Sequence, residues 1–236
     1  QNPKYMEAHN NLAQLLSNQK KDVEALRILT EALKIAPTNV QTLLITSKIQ
    51  LRRGAHDAAE QGARLALKEN PESPEALTVL GQVLHETDRY DEAIKVLERA
   101  VEHNPESAEA LNFYGVALKS IGRLDEARSN IIKAIKLNDL MYGAYANLND
   151  LVDFSHGEGE ELFNRMDAVM ESISDPESEQ YTALHFAYAK ALDDRGQHEK
   201  ALEHYVRGGK MKRKQLEYKE PDTHGFFDSI RATFSK

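Results

Sequence analysis

Four prolines, Pro3, Pro37, Pro71 and Pro105, stand 34 residues apart, each following an Asn or Ala. An interval of that length is one helix–turn–helix unit, which cannot bury its apolar face alone and therefore stacks on its neighbours. Laying the intervals over one another aligns Ala25, Ala59, Ala93 and Ala127, then Ala32, Ala66, Ala100 and Ala134, and a third small column of Ala13, Ser47, Gly81 and Gly115. Small residues at these points let two helices approach closely, whereas a large side chain would overpack the contact at a cost of roughly 1–3 kcal/mol. Leu12, Leu80, Tyr114 and Leu148 on the first helices, with Leu29, Leu97 and Ile131 on the second, fill the holes between them. Within each unit the apolar residues keep the three-and-four rhythm of amphipathic helices, and no segment alternates as a strand does.

These residues carry a family resemblance. Pro74 to Glu106 resembles a tetratricopeptide repeat in Leu77, Leu80, Gly81, Leu84, Tyr90, Ala93, Leu97, Ala100 and Pro105. The resemblance implies an all-α fold, a right-handed superhelix or α-solenoid of tandem helix–turn–helix units at 6–39, 40–73, 74–107 and 108–141. The second unit departs most, with Thr46, Gln50 and Ala63 in place of bulky apolar residues, and residues 1–5 read as the end of a preceding repeat. After Asn138 the rhythm changes. Tyr142 to Val152 reads as a first helix, then Gly157 and Gly159 form a turn before a second helix carrying Leu162, Phe163, Met166, Val169 and Ile173, so 142–176 is a divergent fifth unit. The register returns with His185, Tyr188, Ala189, Leu192, Gly196, Ala201 and Tyr205, giving a sixth unit over 177–219. Residues 220–236 are a linker or capping helix with Phe226, Phe227, Ile230 and Phe234 on one stripe.

The C-terminal third is similar, more narrowly, to the last repeat of bacterial tetratricopeptide proteins that continue into a sulfotransferase domain. Leu184, His185, Phe186, Ala187, Asp193, Asp194 and Gly196 carry that likeness, followed by Gly208, Gly209, Lys212 and Arg213. It implies a bacterial protein whose catalytic domain lies beyond residue 236, with the present chain acting as the interaction module; the lack of cysteine, of a long apolar run and of a signal-peptide pattern makes cytoplasmic the expected compartment. The alternative is a free-standing adaptor or scaffold with no attached enzyme. No catalytic residue carries over in either case.

Charge and local motifs limit the remaining chemistry. A formal net charge of −8 and a pI near 5.6 disfavour a broad nucleic-acid or anionic-membrane surface. Cysteine is absent, which removes disulfides, thiolate zinc sites and a thiol nucleophile. No apolar run approaches the ~20 residues needed to span a bilayer. No His-x-x-x-His pair places two of the nine histidines on one helix face, so no metal or cofactor is expected. The run YVRGGKMKRK, Tyr205 to Lys214, suggests a phosphate loop, but Lys210 is followed by Met211 and no second glycine has the required spacing. Gly208 instead stands seven residues after Ala201, in the small column of Ala32 and Ala66, which predicts a packing residue inside a helix with a cationic C-terminal end.

The remaining functional surface is the groove that the repeat resemblance implies, where first helices line a concave side that takes extended peptides or helices. The candidate partner-binding residues are Asn10, Gln14, Lys48, Arg52, Gln82, Asn112, Val116, Lys119 and Asp150, with Leu44, Glu75, Thr78, Glu109 and Asp153 beside them. Lys48 and Arg52, one turn apart, are placed to grip a carboxylate, and Asp150 and Asp153 to attract a cation or basic peptide. The family's two-carboxylate clamp is interrupted by Leu44, Ile45 and Thr78. An asparagine ladder is equally missing, because Ile45, Val79 and Phe113 separate Asn11 from Asn147.

Overall fold

The structure, a computed structural model, describes residues 3–176 and 178–215. Among the described residues it is all-helical: twelve α-helices, one 3-10 turn and no strand. Two compact units meet at Asn147 and Leu148.

Unit 1 holds α1 (Pro3–Asn18), α2 (Asp22–Ile35), α3 (Val40–Arg52), α4 (His56–Glu69), α5 (Pro74–Glu86), α6 (Tyr90–His103), α7 (Ala108–Ser120), α8 (Leu124–Leu137) and α9 (Tyr142–Asn147). Consecutive helices pair as antiparallel hairpins, α1 with α2 through α7 with α8, and each second helix packs on the next first helix. The first helices also touch in series, α1 to α3 to α5 to α7, so they form one continuous face.

Two backbone devices set this geometry. Each hairpin turn closes with one residue in the left-handed region, Lys20 at φ 62°, Gly54 at 73°, Asp88 at 59° and Gly122 at 81°. The next residue's N–H then reaches back to the helix: Lys21 N to Leu16 O at 2.9 Å, Ala55 to Gln50 at 2.9 Å, Arg89 to Leu84 at 2.9 Å and Arg123 to Leu118 at 3.0 Å. This is the Schellman closure of a helix C-terminus. Between hairpins a side chain caps the incoming first helix. Asn39 accepts from Thr42 N at 2.9 Å, and Ser73 and Ser107 accept from Ala76 N and Ala110 N at 3.2 Å.

Packing follows the small columns. All eight aligned alanines and Ala13 are fully buried. A Cβ on Gly81 would stand 2.3 Å from Leu97 Cγ, and one on Gly115 would stand 2.5 Å from Ile131 Cγ1, so these glycines are where the paired helices touch. Leu12 departs from its expected role: it is 47% exposed, whereas the equivalent Leu80 is buried. Leu80 sits on α5, against which α4 packs, and α1 has no described helix ahead of it.

Helix α9 ends at Asn147, short of the expected Val152. Met141 stands where Asn39, Ser73 and Ser107 cap the earlier first helices, and Asn147, Asn149 and Asp150 bring side chains that compete with the helical backbone.

Unit 2 holds α10 (Glu158–Ser172), a 3-10 turn (Glu179–Tyr181), α11 (Thr182–Asp194) and α12 (His198–Gln215) around buried Phe154, Leu162, Met166, Leu184 and Leu192. Gly157, at φ 58°, precedes α10, but Gly159 lies inside the helix's first turn rather than in a loop. There it backs onto the chain, and a Cβ would meet Asp153 O at 2.0 Å. Gly208 is buried within α12, where a Cβ would lie 3.2 Å from the Phe186 ring. The Gly208–Gly209 pair is therefore helical, and no phosphate loop forms there. The Phe226, Phe227, Ile230 and Phe234 stripe, with the rest of 220–236, lies outside the described residues.

Candidate functional site

The face built by α1, α3, α5 and α7 carries most of the predicted groove residues, and local bonding decides which of them are free to meet a partner. Asn10 is buried, with its Oδ1 accepting from Thr42 Oγ1 at 2.9 Å, and Asn112 is buried with its Oδ1 accepting from Asn147 Nδ2 at 3.1 Å. Both were expected to face outward; both tie one first helix to the next. Gln14 donates to Asn18 Oδ1 and Gln82 to Glu86 Oε1, each at 3.3 Å, leaving both side chains along the surface of their own helices. Val116 is half-buried on α7. Lys119 donates to Asn147 O at 3.0 Å.

The two cations predicted to act together do not share a target. Lys48 Nζ donates to Glu109 Oε1 at 2.9 Å and Oε2 at 3.0 Å. Arg52 turns toward α2, with Nε bonded to Asp22 Oδ2 at 3.1 Å and Nη2 bonded to Asp22 Oδ1 and Ser17 Oγ. A partner's carboxylate must displace an internal one at either position. The Lys48–Glu109 contact also reports shape: it joins α3 to α7 past the intervening α5, so the first-helix face of unit 1 is concave there. Opposite charges 61 residues apart give no local signal, which is why residue-by-residue reading missed this pair.

Farther along, His85 Nε2 lies 2.9 Å from Ser120 Oγ, joining the ends of α5 and α7. Burial holds the His85 imidazole below its usual range, against the opposing pull of Glu86 and Asp88.

Asp150 belongs to unit 2. With Asn149, Asp153, Lys190 and Asp194 it lines a cleft of about 450 Å³. Hydrogen bonds from the Ser155 hydroxyl and N–H hold Asp153 below the usual carboxylate range. Asp193 and Asp194, which end α11 against its dipole, have partners that explain them. Asp194 accepts from Phe154 N at 3.2 Å and pairs with Lys190, and Asp193 lies 2.7 Å from His198 Nδ1. Among the described residues no group of three or more His, Cys, Asp or Glu side chains stands where it could hold a metal ion, and no helix is long and apolar enough to cross a membrane.

Family profiles described as tetratricopeptide repeat match residues 7–36, 50–109 and 86–136. These stretches are tetratricopeptide repeats. Solved structures agree on the fold. The chain is similar to PilW, a widely conserved type IV pilus biogenesis factor, at 17% identity and a TM-score of 0.66, over 88% of this chain and 93% of PilW. A tetratricopeptide repeat protein from Parabacteroides merdae ATCC 43184 aligns at 22% identity and a TM-score of 0.62, over 93% of this chain and 82% of its own. PilF of Pseudomonas aeruginosa aligns at 18% and 0.61, over 86% and 90%. No curated protein sequence matches significantly. At these identities the likeness is one of fold.

Proposed function

We propose that this tetratricopeptide chain is an adaptor that works by binding, holding a peptide segment of a protein partner along the first-helix face of unit 1. The observation that carries the reading is the Lys48–Glu109 contact across α5, a mark of concavity on a face that is continuous from α1 to α7. The residues on that face suit a partner with mixed charge: a carboxylate takes Lys48 while a basic residue takes the released Glu109. Gln14 and Gln82, whose side-chain amides donate only long hydrogen bonds of 3.3 Å, are available to pair with an extended backbone.

The reading as a repeat region leading into a sulfotransferase domain is supported only by the sequence likeness over Leu184 to Arg213. The family profiles match repeats alone, and stacked repeats of this kind bind partners along a continuous face, which favours the adaptor.

The test is selection of peptides from a random display library on the 236-residue chain, followed by affinity measurements with Lys48→Glu and Glu109→Lys variants. Selected peptides carrying adjacent opposite charges are expected to lose at least about tenfold in affinity with either reversal, about 1.4 kcal/mol. Failure to enrich any sequence, or binding indifferent to both reversals, overturns the proposal.

A further inference from the structure

His185 on α11 is fully buried. Its ring lies beside that of His204 on α12, with centroids 5.0 Å apart and the two Nδ1 atoms at 2.9 Å. The other nitrogen, His185 Nε2, lies 2.9 Å from Pro176 O in the connection between α10 and α11. A carbonyl only accepts, so His185 carries its proton on Nε2 and leaves Nδ1 as a bare acceptor. His204 must then donate from its own Nδ1, which puts its lone pair on Nε2. One carbonyl thus sets both tautomers.

We propose that the His185–His204 pair is an acid-released clasp in unit 2: both rings neutral, it ties the α10–α11 connection and α12 to α11, and a proton taken up by the pair lets α12 open. There are two places for that proton. On His185 Nδ1 it puts two N–H groups face to face and breaks the bond between the rings. On His204 Nε2 it keeps that bond but lodges a cation in a site that does not welcome one. The groups around His204 show why. From α11 come the buried His185 and Tyr188, whose ring meets His204 edge-on with centroids 4.9 Å apart. From α12 itself, Arg207 opposes the charge and Glu203 alone favours it. The Tyr188 hydroxyl is turned away, donating to Asp167 on α10, so that carboxylate is already engaged. The 3-10 turn packs on both α11 and α12.

Burial above all pushes His204 down to about 4. An opened α12 hydrates the imidazole and returns it toward the ordinary value of about 6.5. The closed form therefore has its full advantage above about 6.5, and loses it as pH falls from there through about 4. A separation of that size shifts the closed–open equilibrium on the order of a hundredfold.

The test is a pH titration of the 236-residue chain with ¹⁵N-labelled histidine, read by long-range proton–nitrogen correlations, together with amide exchange along α12. At neutral pH the expected pattern is Nε2–H for His185 and Nδ1–H for His204, with His204 titrating well below 6. Exchange along α12, corrected for its intrinsic pH dependence, should rise as pH falls toward 4.5. In His204→Gln, whose side-chain amide still donates to His185, that rise should shrink at least tenfold. Opposite tautomers, a His204 titration near 6.5, or the same acid response in His204→Gln each overturn the proposal. If that variant fails to fold, the wild-type tautomers and titration decide alone.

Discussion

Lys48 and Glu109 meet at 2.9 Å although α5 lies between the helices that carry them. The pair is energetically modest, since the two side chains are 43% and 46% exposed. Its coupling, from a double-mutant cycle of Lys48→Ala and Glu109→Ala followed by urea unfolding, should be about 0.2–1 kcal/mol and should fall as salt rises. A coupling of zero at low salt means the two helices do not converge in solution.

Helix contact at the small columns has a sharper signature. Gly81→Ala should destabilise by about 1–3 kcal/mol, because the new Cβ drives into Leu97. Leu97→Ala in that background should then cost less than Leu97→Ala alone, since each change relieves the other. Chemical denaturation of the four proteins measures this, and strictly additive costs would show that the two residues do not touch.

How much of this was legible in the sequence depends on how far apart the interacting groups lie. The hairpins could be read because Ala25, Ala59, Ala93 and Ala127 repeat a size constraint at one interval, and size acts between adjacent helices. Polar fates could not. Asn10 and Asn112 share a column with Leu44 and Thr78, and only the neighbouring Thr42 and Asn147 show that these asparagines are turned inward to bond. The early end of α9 needed the missing cap at Met141 to be weighed against its apolar pattern. His185 and His204 are 19 residues apart on different helices, so a search for histidines on one helix face passes over them.

The hairpin turns make a prediction of opposite sign. Lys20 occupies the left-handed position that Gly54 and Gly122 fill elsewhere. Left-handed backbone costs a residue with a Cβ roughly 1–2 kcal/mol, so Lys20→Gly should stabilise unit 1 by up to about 1 kcal/mol. Gly122→Ala should lose a similar amount. Thermal unfolding reads both, and a destabilised Lys20→Gly would mean that the Schellman closure is not what sets this turn.

Glu60 links α4 to the start of α6. Arg89 Nη1 donates to both its oxygens, at 3.0 and 2.9 Å, and Arg64 Nε donates at 2.8 Å. Burial alone would raise the Glu60 carboxyl, but hydrogen bonds from Arg64 and Arg89 outweigh it and hold the group below the usual range. Its stabilising effect is therefore full above the ordinary carboxylate pKa and is lost as pH falls through the depressed value. Glu60→Gln should be less stable than wild type by about 1 kcal/mol at pH 7 and should converge with it at a pH below the depressed value. Equal stability at both pH values would remove the link.

The proposed adaptor role requires unit 1 to present a face that binds. The most direct measurement is an amide and side-chain NMR titration of the chain with a library-selected peptide. Shifts concentrated on α1, α3, α5 and α7, with the Lys48 and Glu109 signals moving together, are the predicted result. Saturable binding whose shifts fall on the second helices α2, α4, α6 and α8, with Lys48 and Glu109 unmoved, would contradict it.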